Sequence, residues 1–179
     1  MLKTILIAMG LLVVAVGAVV AYAHTTQPDH FRLERSLLIN APADKIYPMI
    51  SDFKAWPAWS PWEHKDPDMK RTYSEPSGGK GATYAWDGNK EIGSGEMVMS
   101  EATAPSKVAL DMHFKTPFEA RNTAEFTLVP EGSGTKVTWA MAGPSPLISK
   151  IMCLFFSMDK MVGTEFEKGL ATLKAKTEG

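Results

Sequence analysis

The stretch PLISKIMCLFFSMDKMVGTEFEKGLATLKAK, Pro146 to Lys176, carries the pattern around which the rest of the chain is arranged. Apolar residues recur at Ile151, Phe155, Met158, Val162, Phe166, Leu170 and Leu173, steps of three and four that place them on one side of a 3.6-residue helix. Lys160, Glu167 and Lys174 fall seven apart on another side, a solvated back. The first half is different: Leu147, Ile148, Ile151, Met152, Cys153, Leu154, Phe155 and Phe156 leave almost no polar side, as in a segment that is buried all round or touches something greasy. Ser145-Pro146 reads as N-cap and first turn, and Ser157-Met158-Asp159 as a restart after a kink. An apolar stripe of this length needs a partner, and the preceding residues must supply it.

The chain has 179 residues, 45% of them hydrophobic, room for one domain with a substantial core once the N-terminus is set aside. Nineteen basic against twenty acidic residues, with no Lys/Arg cluster, argue against nucleic acid as a partner. The single cysteine, Cys153, cannot form an internal disulfide and reads as a small buried hydrophobe. Eleven methionines make for a deformable interior, for which ordinary gap filling is explanation enough.

Ile5 to Ala23 carries no charge and as a helix would reach roughly 28 Å, close to the hydrocarbon thickness of a bilayer. Lys3 ahead of it places the N-terminus in the cytoplasm and the remaining chain on the far side. The expected organisation is a membrane anchor over 1–23, a short linker over 24–30 and one domain over 31–179. It would sit as a single-pass protein of the inner membrane, with the domain on the periplasmic side. The competing reading is a signal peptide cleaved at Ala23, since Ala21-Tyr22-Ala23 has the small-x-small form; the domain is exported in either case.

Between anchor and terminal helix the period changes from 3.6 to 2. Phe31, Leu33, Leu37 and Ile39 alternate with polar residues and stop at Asn40-Ala41-Pro42, a first strand. Ile46, Tyr47, Met49 and Ile50 suit a short helix, and Trp56, Trp59 and Trp62, interrupted by Pro57 and Pro61, a second brief one that gives way to a loop. Six strands follow, over 70–73, 82–86, 95–102, 108–115, 118–129 and 135–141, joined by short connections rich in Gly, Pro, Asn and Ser. Alternation gives them one apolar face. A seven-stranded antiparallel sheet with one apolar face curves around the terminal helix, an α+β arrangement. Incomplete closure would leave an internal cavity lined by Tyr84, Trp86, Met97, Met99, Met112, Phe114, Asn122, Phe126 and Trp139, with Phe155, Met158 and Val162 of the helical stripe.

This order of elements resembles the START-like or SRPBCC superfamily with its helix-grip fold, and more closely its polyketide cyclase/dehydrase and lipid-transport branch, which includes bacterial members with one N-terminal anchor. The resemblance rests on Ile39-Asn40-Ala41-Pro42 with Ile46, on Asp52-Phe53-x-x-Trp56-x-x-Trp59-Ser60-Pro61-Trp62, on Gly81-Ala82-x-Tyr84-x-Trp86, on Gly93-x-Gly95, on Thr135-x-Val137-x-Trp139 and on Phe166-x-x-Gly169-Leu170-x-x-Leu173. It covers about residues 31–176 and implies a fold, since the superfamily mixes lipid carriers, hormone and pigment binders, aromatases, cyclases and co-chaperones.

Candidate chemistry is sparse. Glu63, His64, Asp66 and Asp68 lack a metal-ligand spacing and read as a solvated acidic loop; His113 reads as a surface strand histidine. Ser77-Gly78-Gly79-Lys80-Gly81 lacks the phosphate-loop frame and reads as a hairpin turn. Asn122, polar on an apolar face, needs a partner from backbone, trapped water or a ligand's head, and Tyr84 offers a hydroxyl on the same wall. No catalytic residue, metal or cofactor is expected. The expected function is binding, with transport as an extension, of a hydrophobic small molecule or lipid beside the membrane entered by Ile5-Ala23. The alternatives are a cyclase- or aromatase-type enzyme, for which an inward carboxylate or His is wanted, and an interaction module of the cell envelope.

Overall fold

A computed structural model describes residues 1–179, the side chain of Leu2 excepted. The chain divides into two compact units, one made of residues 1–31 and 144–158, the other of 32–143 and 159–179.

The larger unit is built on a seven-stranded antiparallel sheet in the order β1-β7-β6-β5-β4-β3-β2. The strands are β1 His30–Ile39, β2 Lys70–Tyr73, β3 Thr83–Asp87, β4 Ser94–Thr103, β5 Lys107–Thr116, β6 Ala120–Glu131 and β7 Gly134–Pro144. β2 to β7 form a meander, each strand pairing with the next, as short turn-rich connections dictate. The sixth strand starts two residues later than its alternation suggests. Phe118, the first residue of the strand read over 118–129, sits in the preceding turn and is 60% exposed.

Helix α2, Ala43–Ser51, follows β1 and buries Ile46 and Ile50, one turn apart. Two 3-10 turns, Phe53–Ala58 and Pro61–His64, come next. The prolines keep both short, and the indoles tie them back to α2: Trp56 Nε1 donates to the Ile50 carbonyl at 3.0 Å and Trp59 Nε1 to that of Met49 at 2.7 Å. Each buried ring therefore has its polar atom satisfied.

The terminal helix of this unit, α4 Thr164–Glu178, is preceded by one π-helical turn, Asp159–Gly163. Phe166, Leu170 and Leu173 are buried against the sheet, the stripe that the 3.6 period selects. Phe166 stacks on Trp139 of β7, rings nearly parallel with centroids 4.2 Å apart. Arg35 of β1 holds the helix entrance, donating to Glu167 Oε1 at 2.6 Å and Asp159 Oδ1 at 2.8 Å.

In the smaller unit, α1 Leu2–Thr26 is apolar and long enough to cross a membrane, or to serve as a signal sequence. It continues into the stretch read as linker, where the Thr25 and Thr26 hydroxyls donate to carbonyls of the preceding turn. Against it lies α3, Leu147–Cys153. The helix read from Pro146 onward is interrupted ahead of the restart expected at Ser157-Met158-Asp159: the amides of Leu154, Phe155 and Phe156 close on the Ile151 and Met152 carbonyls and end α3, and helical backbone resumes at Met158. Pro146 takes the N-cap position, while the Ser145 amide bonds the Asp29 carbonyl. Cys153 is half-buried.

Candidate functional site

A cavity of about 220 Å³ lies within the larger unit, between the sheet, the two 3-10 turns and the start of α4. β3 contributes Tyr84 and Trp86, β4 Met97, β5 Leu110, Met112 and Phe114, β6 Ala124, and β7 Trp139 and Met141. The opposite wall is Trp56, Ser60, Trp62, Glu63, Met69, Ile92, Val162 and Phe166. Period-two alternation aims the strand residues at one side, so β-register does most of the building: Tyr84 pairs with Met97, and Met97 with Met112.

Seven of the twelve residues expected at the cavity line it: Tyr84, Trp86, Met97, Met112, Phe114, Trp139 and Val162. Met99 and Phe126 point inward as expected but do not reach it. Both are wholly buried, and Phe126 is covered by the rings of Trp56, Trp59 and Trp139. Asn122 pairs with Met112 near the start of β6, where it is half-buried and clear of the cavity. Phe155, 70% exposed, and Met158 belong to the other unit.

The acidic turn departs most from expectation. Glu63 and Asp66 are buried, not solvated. Asp66 accepts the amides of Asn89 and Asp68, fastening the β3–β4 connection. Glu63 faces the cavity with its side chain 3% exposed. One carboxylate oxygen accepts the Tyr84 hydroxyl at 2.7 Å, and the other accepts Arg71 Nε at 2.6 Å. Arg71 also donates to the Glu63 and Met69 carbonyls, at 3.0 and 2.7 Å, so each of its three nitrogens has a partner. Burial drives the Tyr84 hydroxyl far above the ordinary phenol range, and the bond to Glu63 pushes it further the same way. The Arg71 guanidinium is raised by its bond to Glu63, which outweighs burial. Glu63, the Tyr84 hydroxyl and Ser60 are thus the polar groups of a largely apolar chamber.

Sequence reading misses this group because its partners lie eight and twenty-one residues away. The available signal is spacing in the fold: Arg71 and Tyr84 on neighbouring strands β2 and β3, opposite Trp86 and Tyr73, facing a turn that holds a carboxylate. The carboxylates and the histidine on strands β4 and β5 lie elsewhere. His113 and Glu96 pair across β5 and β4 on the far face of the sheet, where Lys115 and then His113 lower the Glu96 carboxyl below its ordinary range, and Asp111 is exposed.

Sheet, helix and chamber define an α+β protein of helix-grip architecture. Residues 30–178 match the family described as polyketide cyclase / dehydrase and lipid transport, and the chain belongs to that family. No curated protein matches it in sequence. Among solved structures, it is similar to the Aha1 dimer from Colwellia psychrerythraea, at 15% identity and a TM-score of 0.60, over 83% of this chain and 96% of that one. The di-domain ARO/CYC StfQ from the steffimycin biosynthetic pathway aligns at 12% identity and a TM-score of 0.65, over 88% of this chain and 53% of that one. Ginseng major latex-like protein 151 from Panax ginseng aligns at 10% identity and a TM-score of 0.60, over 84% and 99%. At these identities the likeness is one of fold.

Proposed function

We propose that this protein binds one small hydrophobic molecule in the chamber of its larger unit, anchored to a membrane by α1, with its polar end against Glu63. The observation that carries the reading is a largely apolar cavity whose wall includes a buried, hydrogen-bonded carboxylate. Family membership supports it at the level of hydrophobic-ligand binding or cyclisation. About 220 Å³ is below the roughly 300–1,000 Å³ of pockets for drug-sized ligands. A fused-ring or short-chain molecule suits this space better than a whole two-chain lipid. Met69, Met97, Met112 and Met141 in the wall can repack around different shapes. Each Glu63 oxygen has one donor and retains a second lone pair, so a ligand bearing a hydroxyl or amine is preferred over one that only accepts.

The test uses the full chain in nanodiscs with 1-naphthol and naphthalene as probes, read by thermal shift and native mass spectrometry. Both should stabilise the protein, naphthol more strongly at equal concentration, and either by roughly 2.7 kcal/mol at a hundredfold excess over its own Kd. Ala124→Phe, which fills the chamber from β6, should abolish both effects; Met112→Phe is the milder second variant. No stabilisation by either probe, or stabilisation that survives both variants, overturns the reading.

Glu63 also favours a second reading, an enzyme of cyclase type acting on a hydrophobic substrate. Protonating this carboxylate would leave the Arg71 guanidinium without its charge partner in a largely buried place, which disfavours proton transfer against simple binding. Turnover of a polyketide-like substrate that is lost in Glu63→Gln while binding persists would select the enzyme.

A further inference from the structure

The smaller unit carries an apolar face that nothing within that unit covers. Leu147, Ile148, Met152, Phe155 and Phe156 are between 41% and 70% exposed, five large side chains in ten residues. Leu147, Ile148 and Met152 fall on one half of the α3 wheel, and Phe155 and Phe156 follow in the turn that closes the helix. The one charged residue of the segment, Lys150, faces away from that half. It is 4% exposed, with its ammonium on Asp29 Oδ1 at 2.5 Å. Monomeric proteins seldom leave a charge-free patch of this kind to water.

Its position within the unit says what covers it. α3 packs on the last turns of α1, where Ala23 is fully buried and Val20 and Gln27 half-buried, whereas residues 5–19 are exposed along their length. A helix that spans with Ile5–Ala23 leaves the hydrocarbon at about Ala23, and the interface beyond is only roughly 5–8 Å deep on each side. α3 is therefore at the level of the headgroups. Tyr22, 60% exposed one residue earlier, is the aromatic type that favours that layer.

We propose that the Leu147–Phe156 segment is an interfacial membrane contact, lying in the headgroup layer of the bilayer that α1 enters, with Phe155 and Phe156 inserted among the acyl chains. The proposal rests on α1 being a spanning anchor. It makes the smaller unit a two-part membrane device, a rod that crosses and a shorter rod that lies flat beside its exit.

The experiment places an environment-sensitive fluorophore at Phe155→Cys in a Cys153→Ser background of the full chain, reconstituted in phosphatidylethanolamine/phosphatidylglycerol liposomes. Phe156→Cys is a second reporter, Val13→Cys reports on the anchor, and Lys176→Cys is the aqueous reference. Support is a blue-shifted emission at 155 and 156, quenched by a nitroxide near the lipid headgroup and protected from iodide, with Val13→Cys quenched by a nitroxide deep in the acyl chains. Iodide access at 155 and 156 equal to that at 176, with Val13 deep, overturns the interfacial contact and leaves the anchor standing. A Val13 reporter outside the bilayer overturns the anchor, and the contact with it. Protection from iodide without nitroxide quenching means that a protein covers the face, a second copy or another chain, and also overturns the proposal.

Discussion

Glu63 shows how a single buried group sets the character of a site. Its carboxylate is wedged between a phenol and a guanidinium, so removing it strands two donors at once. Glu63→Ala should cost about 3 kcal/mol in chemical denaturation, because Arg71 is left without its charge partner in a largely buried place. Tyr84→Phe removes only one donor from a carboxylate that keeps Arg71, and about 1–2 kcal/mol is expected. The double variant should cost less than the two losses added together, since the second change removes a bond already broken. None of this was legible in Pro61-Trp62-Glu63-His64, where charge near proline looks like solvated loop. Tyr84 and Trp86 were legible, because strict alternation on β3 leaves only one side for them. Asn122 misled for the same reason: alternation fixes the face of a strand but not how far along it the chamber extends.

At the level of elements, the close approach of α4 to β7 gives the chamber its roof. A methyl group on Gly169 would lie 2.8 Å from the Trp139 ring and 3.0 Å from Pro61. Gly169→Ala therefore sets a gain of about 1 kcal/mol in helix propensity against an overpacking cost of about 1–3 kcal/mol. Net destabilisation is expected in thermal melts, together with weaker probe binding, because Trp139 and Phe166 are both cavity walls. Helix α4 itself was plain from its stripe, as were the strands from their turns. A break before Ser157-Met158-Asp159 was legible as a restart, but not that α3 would already end at Cys153, since a run with no polar side carries no phase information and helix or coil fits it equally. The π turn that brings Val162 to the chamber has no sequence signature at all; Arg35 brackets it, bonding Asp159 and Glu167 and passing close over Gly163.

Across the whole molecule, the titrating groups define a broad pH plateau. Asp29, Glu96, Glu101 and Glu178 are held below their ordinary values of 3.8 and 4.5, chiefly by hydrogen bonds from Lys150, Lys115, Lys107 and the Asn40 amide in turn. Depressed carboxylates contribute fully above those ordinary values and lose the contribution as pH falls through the folded ones. Tyr84, with Tyr47 and Tyr73, is raised above 10.0 by burial, and Lys54 and Lys107 above 10.5 by their Glu partners. Raised groups contribute fully below the ordinary value and lose it as pH climbs past it. Stability should be level from about pH 5 to 10 and fall on both sides, the alkaline fall shallower in Tyr84→Phe; denaturation midpoints across that range check it.

Four of the five tryptophans, Trp56, Trp62, Trp86 and Trp139, border the chamber, and the fifth, Trp59, sits directly behind it against Trp56 and Trp139. Almost the entire ultraviolet emission of the molecule thus originates around one small volume. A guest entering it announces itself in the native spectrum without a dye, and a guest attached anywhere else leaves that spectrum nearly untouched.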